Sequence, residues 1–173
     1  MAKRARVAAI SCSHVPHHSQ SAINKLIELI GTLNDDKPFT HFVHMGDLLD
    51  AQAASVHPDD PADHSLLDEY HAAAELLASI RQALNPRCQL HWLLGNHDSN
   101  ILQRNPKRIP VELRPLCNWN NVPVVGREFH KWQQTPYVNG RESCLEIGPL
   151  IFLHGFKCGV NSDELEGLEM AYA

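Results

Sequence analysis

No Cys-x-x-Cys pair occurs among the five cysteines, Cys12, Cys88, Cys117, Cys144 and Cys158. An odd number without paired spacing argues against both a disulfide framework and a zinc ribbon, so the thiols are read as reduced. Long apolar runs are missing too. No stretch approaches the length of a membrane span, and the one after the basic start Met1–Arg6 is too short for a signal-peptide core. A cytoplasmic protein without membrane attachment is the expectation. There is no surplus of positive charge either, and a net charge of -5 gives no general attraction to nucleic acid. Internal repeats and low-complexity linkers are absent. What remains is 173 residues with 43% hydrophobic and 20% charged content, enough to bury a core and most simply one domain over 1–173.

The apolar residues are organised. Runs at Val7–Ile10, Phe39–Met45 and Leu90–Leu94 each end abruptly in Gly, Asn, Asp, Ser or His, the signature of strand then loop. Between them lie two segments of helical period. The first carries Ile23, Leu26, Ile27, Ile30 and Leu33, and the second Leu66, Tyr70, Ala73, Leu77, Ile80 and Leu84. Alternating strand and helix predicts an α/β fold with right-handed crossovers and a mainly parallel sheet. The carboxyl ends of such strands share one edge, where open α/β folds keep their sites.

Three strings sit at those strand ends: Ser13-His14, Gly46-Asp47-Leu48-Leu49-Asp50 and Gly95-Asn96-His97-Asp98. A fourth strand-end ligand candidate, His154, follows the apolar run Pro149–Leu153. If the strings converge, Asp47 offers a carboxylate able to bridge two cations. Asn96 adds a neutral carbonyl oxygen, and His14 and His154 add imidazoles. This mixed nitrogen and oxygen set suits Mn, Zn, Fe or Ni.

With these motifs in this order, the chain resembles the calcineurin-like metallophosphoesterases, whose pattern is Asp-x-His, Gly-Asp-x-x-Asp, Gly-Asn-His-Asp/Glu, a strand-end His, then Gly-His-x-His. The resemblance covers nearly the whole chain. It implies an α/β/β/α sandwich with a mainly parallel first sheet and an incomplete second one. It also implies two divalent metal ions, Mn first among them, with Asp47 bridging, His14 on one metal, and Asn96 and His154 on the other. By the same resemblance the activity is hydrolysis of a phosphate ester, a phosphodiester before a monoester, by a hydroxide held between the metals. His97 is then the catalytic histidine, Asp98 its orienting partner and Asp50 an outer acceptor. The substrate is a phosphorylated small molecule, a nucleotide or a nucleic-acid end.

The chain departs from the pattern twice. Cys12 stands where the family has the Asp of Asp-x-His, and no Gly-His-x-His occurs. A Cys12 thiolate can ligate Zn or Fe, and the same side chain also reads as a small buried hydrophobe. The second departure leads us to expect a fragment of a longer enzyme or a short homologue with a degraded second metal site. A binding scaffold that keeps the fold without catalysis is the alternative function.

Local signals give further expectations. Ser55–His64 reads as a loop, and Ser65 with Asp68 three later as a helix start. Ile101–Asn105 continues a helix begun at the Gly-Asn-His-Asp loop, and Pro110–Trp119 forms short helical turns. Val122–Val125 reads as a strand, and Asn139-Gly140 as the turn of a hairpin into Cys144–Ile147. Ser162–Tyr172 reads as a helix, and Arg104–Arg108 as a solvated basic loop. Of the remaining histidines, His17 and His18 lie close enough behind His14 to reach a substrate phosphate. His41, His44 and His91 are strand positions, and His71 is helical.

Overall fold

The computed structural model describes residues 4–52, 64–103, 111–138 and 141–155. Four strands, β1 (Val7–Ile10), β2 (His41–Met45), β3 (Gln89–Leu93) and β4 (Gln133–Thr135), form one parallel sheet in the order β1-β2-β3-β4. Helices α1 (Gln20–Asp36), α2 (Leu66–Gln82), α3 (Asn96–Gln103) and α4 (Pro123–Phe129) lie in the connections. A separate antiparallel pair, β5 (Leu145–Ile147) and β6 (Leu150–Phe152), makes a second, small sheet.

Alternation along the central strands sorts two cores, because successive strand side chains point to opposite faces. Phe42 and Trp92 join the large core with Ile30 of α1, Tyr70, Leu77 and Ile80 of α2, and Val125 and Phe129 of α4. Val43 and Leu93 point the other way and meet Ile147 of β5. The layers are therefore helices, parallel sheet, then antiparallel pair, as the α/β expectation required. Neighbouring strands joined in sequence by right-handed crossovers put their helices on one face. Burying each of these large side chains is worth about 1.5–3 kcal/mol. Trp92 sits at the centre, its ring 5.2 Å from that of Trp119 and 5.1 Å from that of Phe129.

Both long helices start where their caps dictate. The Ser19 hydroxyl accepts from the Ala22 amide, and Ser65 with Asp68 closes a reciprocal capping box. A bidentate pair from Arg81 to Glu128, at 2.8 and 3.1 Å, ties α2 to α4, with Lys131 adding a third bond at 2.6 Å.

Two local expectations are corrected. Val122–Val125 is not a strand. Pro123, whose fixed φ suits a first helical position, opens α4, and Val125, Gly126 and Phe129 bury a helical face. The hairpin holding Leu145–Ile147 is closed by Gly148 (φ +60), with β6 as its partner. Asn139 and Gly140 lie outside the described residues, as do Arg104–Arg108 and Ser162–Tyr172, and most of the Ser55–His64 loop. The strand that was not foreseen, β4, is polar at Gln133 and Gln134 and pairs with β3. Cys12, Cys88, Cys117 and Cys144 form no disulfide. No described helix is long and apolar enough to cross a membrane.

Candidate metal centre

Strands β1, β2 and β3 end at one edge, and the loops leaving the first two run alongside each other. The amides of Cys12, His14 and Val15 donate to the carbonyls of Gly46, Asp47 and Leu48 at 3.0, 3.0 and 2.9 Å, and the Asp50 amide returns to Val15 at 3.2 Å. Four non-glycine residues here hold left-handed backbone: Cys12 (φ +54), His14 (+45), Asp47 (+50) and Ala51 (+54). Such conformations cost on the order of 1–3 kcal/mol each and persist only where surrounding structure fixes them. Four within one loop pair mark a segment whose shape is imposed by its neighbours.

Glycine appears where two side chains need space. A Cβ on Gly46 (φ +93) would overlap the His154 ring, and one on Gly95 would overlap the Asp47 carboxylate and amide. Both glycines of the two tetrads therefore admit a site side chain.

Asp47 is the centre of the cluster. Its Oδ1 accepts the His97 amide at 3.0 Å, in the first turn of α3, where the helix dipole favours a carboxylate. Its Oδ2 lies 3.0 Å from His154 Nε2 and 3.9 Å from His14 Nε2. Burial pushes the Asp47 carboxyl up. The His154 ring and His97 amide outweigh that push and hold it below the usual range. Hydrogen bonding to Asp47 raises His154 in turn.

Each flanking imidazole is oriented through its other nitrogen. His154 Nδ1 donates to the Met45 carbonyl at 2.6 Å, and His14 Nδ1 faces Asp50 Oδ1 at 3.1 Å. An oxygen acceptor on Nδ1 keeps a proton on that nitrogen, so Nε2 is the one that can give up its proton and turn a lone pair to a cation, the usual arrangement around a metal-ligating histidine. Asn96 Oδ1 stands 3.4 Å from His154 Nε2. The ligand atoms of Cys12, His14 and Asp47 lie within 4.8 Å of one another, as do those of His14, Asp50 and His97. This donor set fits a divalent cation, because it combines an ionised carboxylate with imidazoles whose Nε2 atoms already face it.

All the sequence-derived positions, Cys12, His14, Asp47, Asn96, His97, Asp98 and His154, fall on this edge, but Asp98 differs in role from the expectation. It is fully buried and accepts from the amides of Gly95 (2.9 Å), Leu49 (2.9 Å) and Leu48 (3.4 Å). It pins the Asp47 loop to the Gly-Asn-His-Asp loop, while His97 takes its Nδ1 acceptor from the Asp50 carbonyl at 2.5 Å. Burial pushes the Asp98 carboxyl up to about 6 against the pull of those amides. Asp98→Ala should strand three buried donors and lower unfolding free energy by about 3 kcal/mol or more. Asp98→Asn, which keeps one acceptor oxygen, should lose less. Urea titrations with coincident midpoints for all three proteins would reject this role.

Of the neighbouring histidines, His17 stands at the rim, its Nε2 3.8 Å from Asp50 Oδ2 and its ring 5.7 Å from that of His64. His18 turns instead to Gln20. His44 lies wholly buried behind Ser13, whose hydroxyl it meets at 2.8 Å, and burial drives its pKa down to about 3, so it stays neutral. Glu69 was not singled out by motif. The available signal was a carboxylate inside the apolar stripe of α2, between Leu66 and Ala73.

The family model for calcineurin-like phosphoesterases matches residues 5–170. The chain belongs to this family. No curated protein and no solved structure matches it. As a calcineurin-like phosphoesterase it is placed with metal-dependent hydrolases of phosphate esters, and the residues that match the family's motifs are those gathered around Asp47.

Proposed function

We propose that this protein hydrolyses phosphate esters, diesters before monoesters, with divalent cations held by Asp47, His14, Asn96 and His154, and with Cys12 as a further ligand. One observation carries the reading: two imidazoles from opposite ends of the chain, each anchored through Nδ1, turn Nε2 toward the same carboxylate oxygen. Bound cations would polarise the phosphoryl oxygen and lower the pKa of a water to make it a nucleophile near neutral pH.

The chain's own groups do the rest. Asp47 presents Oδ2 with Oδ1 locked by α3, so its orientation costs nothing at the moment of binding. The His97 ring stands edge-on to His14 with centroids 4.7 Å apart. Its Nδ1 is committed to Asp50, so Nε2 is the nitrogen that can hand a proton to the departing ester oxygen. The preference for diesters rests on charge. Among the described residues, the groups that touch the Asp47 and Asp50 carboxylates are imidazoles and a backbone amide, and a singly charged diester asks less positive charge of such groups than a dianionic monoester. Phosphorylated small molecules, nucleotides and nucleic-acid ends all carry phosphate esters, and cyclic nucleotides and the terminal internucleotide linkage present them as diesters. Mn is the first metal to test, with Zn or Fe favoured if the Cys12 thiolate ligates.

The test is turnover of bis(p-nitrophenyl) phosphate and p-nitrophenyl phosphate by purified protein with Mn, Zn or Fe, before and after chelation. Diester hydrolysis that chelator abolishes and metal restores is the expected result. Absence of both bound metal and turnover would favour the non-catalytic scaffold.

A further inference from the structure

We infer that Glu69 is a positioning residue for His97, acting on it through the single peptide group that joins Asp50 to Ala51. The inference rests on the phosphoesterase reading for its catalytic consequence, and on geometry alone for the contact.

The two ends of that peptide group are engaged on opposite sides. Its N–H, from Ala51, donates to Glu69 Oε2 at 2.6 Å. Its carbonyl, from Asp50, accepts from His97 Nδ1 at 2.5 Å. Carboxylate, peptide and imidazole thus form one line of hydrogen bonds, with nothing between Glu69 and the catalytic ring except one planar amide. A carboxylate on the N–H draws density toward the carbonyl oxygen and makes it a better acceptor, so each bond strengthens the other. The carbonyl can only accept, so Nδ1 keeps its proton throughout, and the proton given to the departing oxygen is a second one carried on Nε2, whose loss leaves the neutral ring still donating to Asp50.

The surroundings show that this arrangement is built rather than incidental. Glu69 is 1% exposed on a helix whose neighbouring residues Tyr70, Ala73 and Leu77 are core. Ala51, with φ +54, holds left-handed backbone that a residue with a side chain adopts at a cost, and the bond from Glu69 fixes the orientation of the preceding peptide plane. Burial pushes the Glu69 carboxyl up to about 7, with the amides of Ala51 and Gln52 pulling it back and Asp50 and His97 as its charged neighbours. An apolar side chain would pack here without that penalty, but it would leave the Ala51 N–H without its acceptor.

The variant is Glu69→Gln, which keeps the shape and an acceptor oxygen and removes the charge. With the native carboxyl pushed up to about 7 it is about half ionised near pH 7, so an isosteric neutral amide should fold. Glu69→Asp, which keeps the charge but draws it back by one methylene, is the second variant. The first readout is side-chain ¹⁵N NMR of the histidines in the full chain, with His97 assigned from its disappearance in His97→Gln. In the neutral ring, wild type should show the proton at Nδ1, and Glu69→Gln should shift population toward the Nε2-protonated tautomer, whose Nδ1 no longer donates to Asp50 and whose ring is no longer held in line for proton transfer. The second readout is kinetics with Mn on an alkyl diester, whose leaving oxygen needs a proton, and on a p-nitrophenyl diester, whose leaving oxygen barely does. Glu69→Gln should lower kcat on the alkyl ester by about 10-fold, as loss of an outer hydrogen-bond partner does, with KM unchanged and a smaller loss on the p-nitrophenyl ester. Glu69→Asp should recover part of it. A wild-type His97 spectrum with kcat within twofold in Glu69→Gln would overturn the inference and leave Glu69 a loop anchor. Wild-type protein without turnover would overturn the phosphoesterase reading instead, and the NMR comparison would then decide the Glu69 contact by itself.

Discussion

Asp47→Asn should eliminate Mn-dependent hydrolysis of a generic phosphodiester while leaving the protein folded. Asparagine has the same shape, and its carbonyl oxygen can still accept the His97 amide at the start of α3, so that contact survives. The other position becomes an NH₂ group, which has no lone pair for a cation and cannot accept from His154. Both Nε2 atoms then lose the negative oxygen they share at 3.0 and 3.9 Å. Removing one outer hydrogen-bond partner of a metal ligand typically costs 10- to 100-fold in affinity or activity, and loss of the shared ligand itself should exceed about 100-fold. Metal content of the purified variant and its rate with added Mn check this. Equal rates for wild type and Asp47→Asn would refute the assignment.

Removing the imidazole at position 97 should have an effect of comparable size by a different route. His97→Ala leaves the Asp47, His14, His154 and Asn96 side chains in place and keeps the backbone amide that caps Asp47 Oδ1, so Mn content should stay near the wild-type level. What disappears is a proton at Nε2. A positioned general acid contributes about 10²- to 10⁴-fold, so kcat on an alkyl diester should fall within that range. The fall should be much smaller on a p-nitrophenyl diester. Equal losses on the two esters would mean that the ring binds phosphate rather than protonating the departing oxygen.

Much of the fold could be read because its strands and long helices carry their own periodicity. The runs ending at Ile10, Met45 and Leu94 announce three parallel strands, and the Ser65–Asp68 capping box announces the start of α2 within one residue. The site was legible for a related reason. Each site string directly follows a strand, so local sequence determines which edge it reaches. Elements whose character comes from tertiary packing were harder. Val122–Val125 has the β-branched composition of a strand, but Pro123 and the burial of Val125 and Phe129 against α2 make it helical. Gln133-Gln134 has no apolar run to mark it, and β4 is a strand because β3 offers it a ladder. Asp98 and Glu69 show the same limit within the site. A carboxylate next to a catalytic histidine reads as its partner, yet Asp98 spends its oxygens on amides from the Leu48 and Leu49 positions, about fifty residues earlier. No spacing rule in the sequence connects Glu69 to the Asp50–Ala51 peptide.

The close fit of His154 over Gly46 bears on how the protein matures. Its acceptor, the Met45 carbonyl, lies 109 positions earlier in the chain, so seating His154 in the site requires closing a long loop, whose entropy is recovered only when the surrounding contacts are in place. A cation held by both His154 and Asp47 would cross-link the two ends of that loop and oppose its opening, so added Mn should raise the midpoint of urea unfolding.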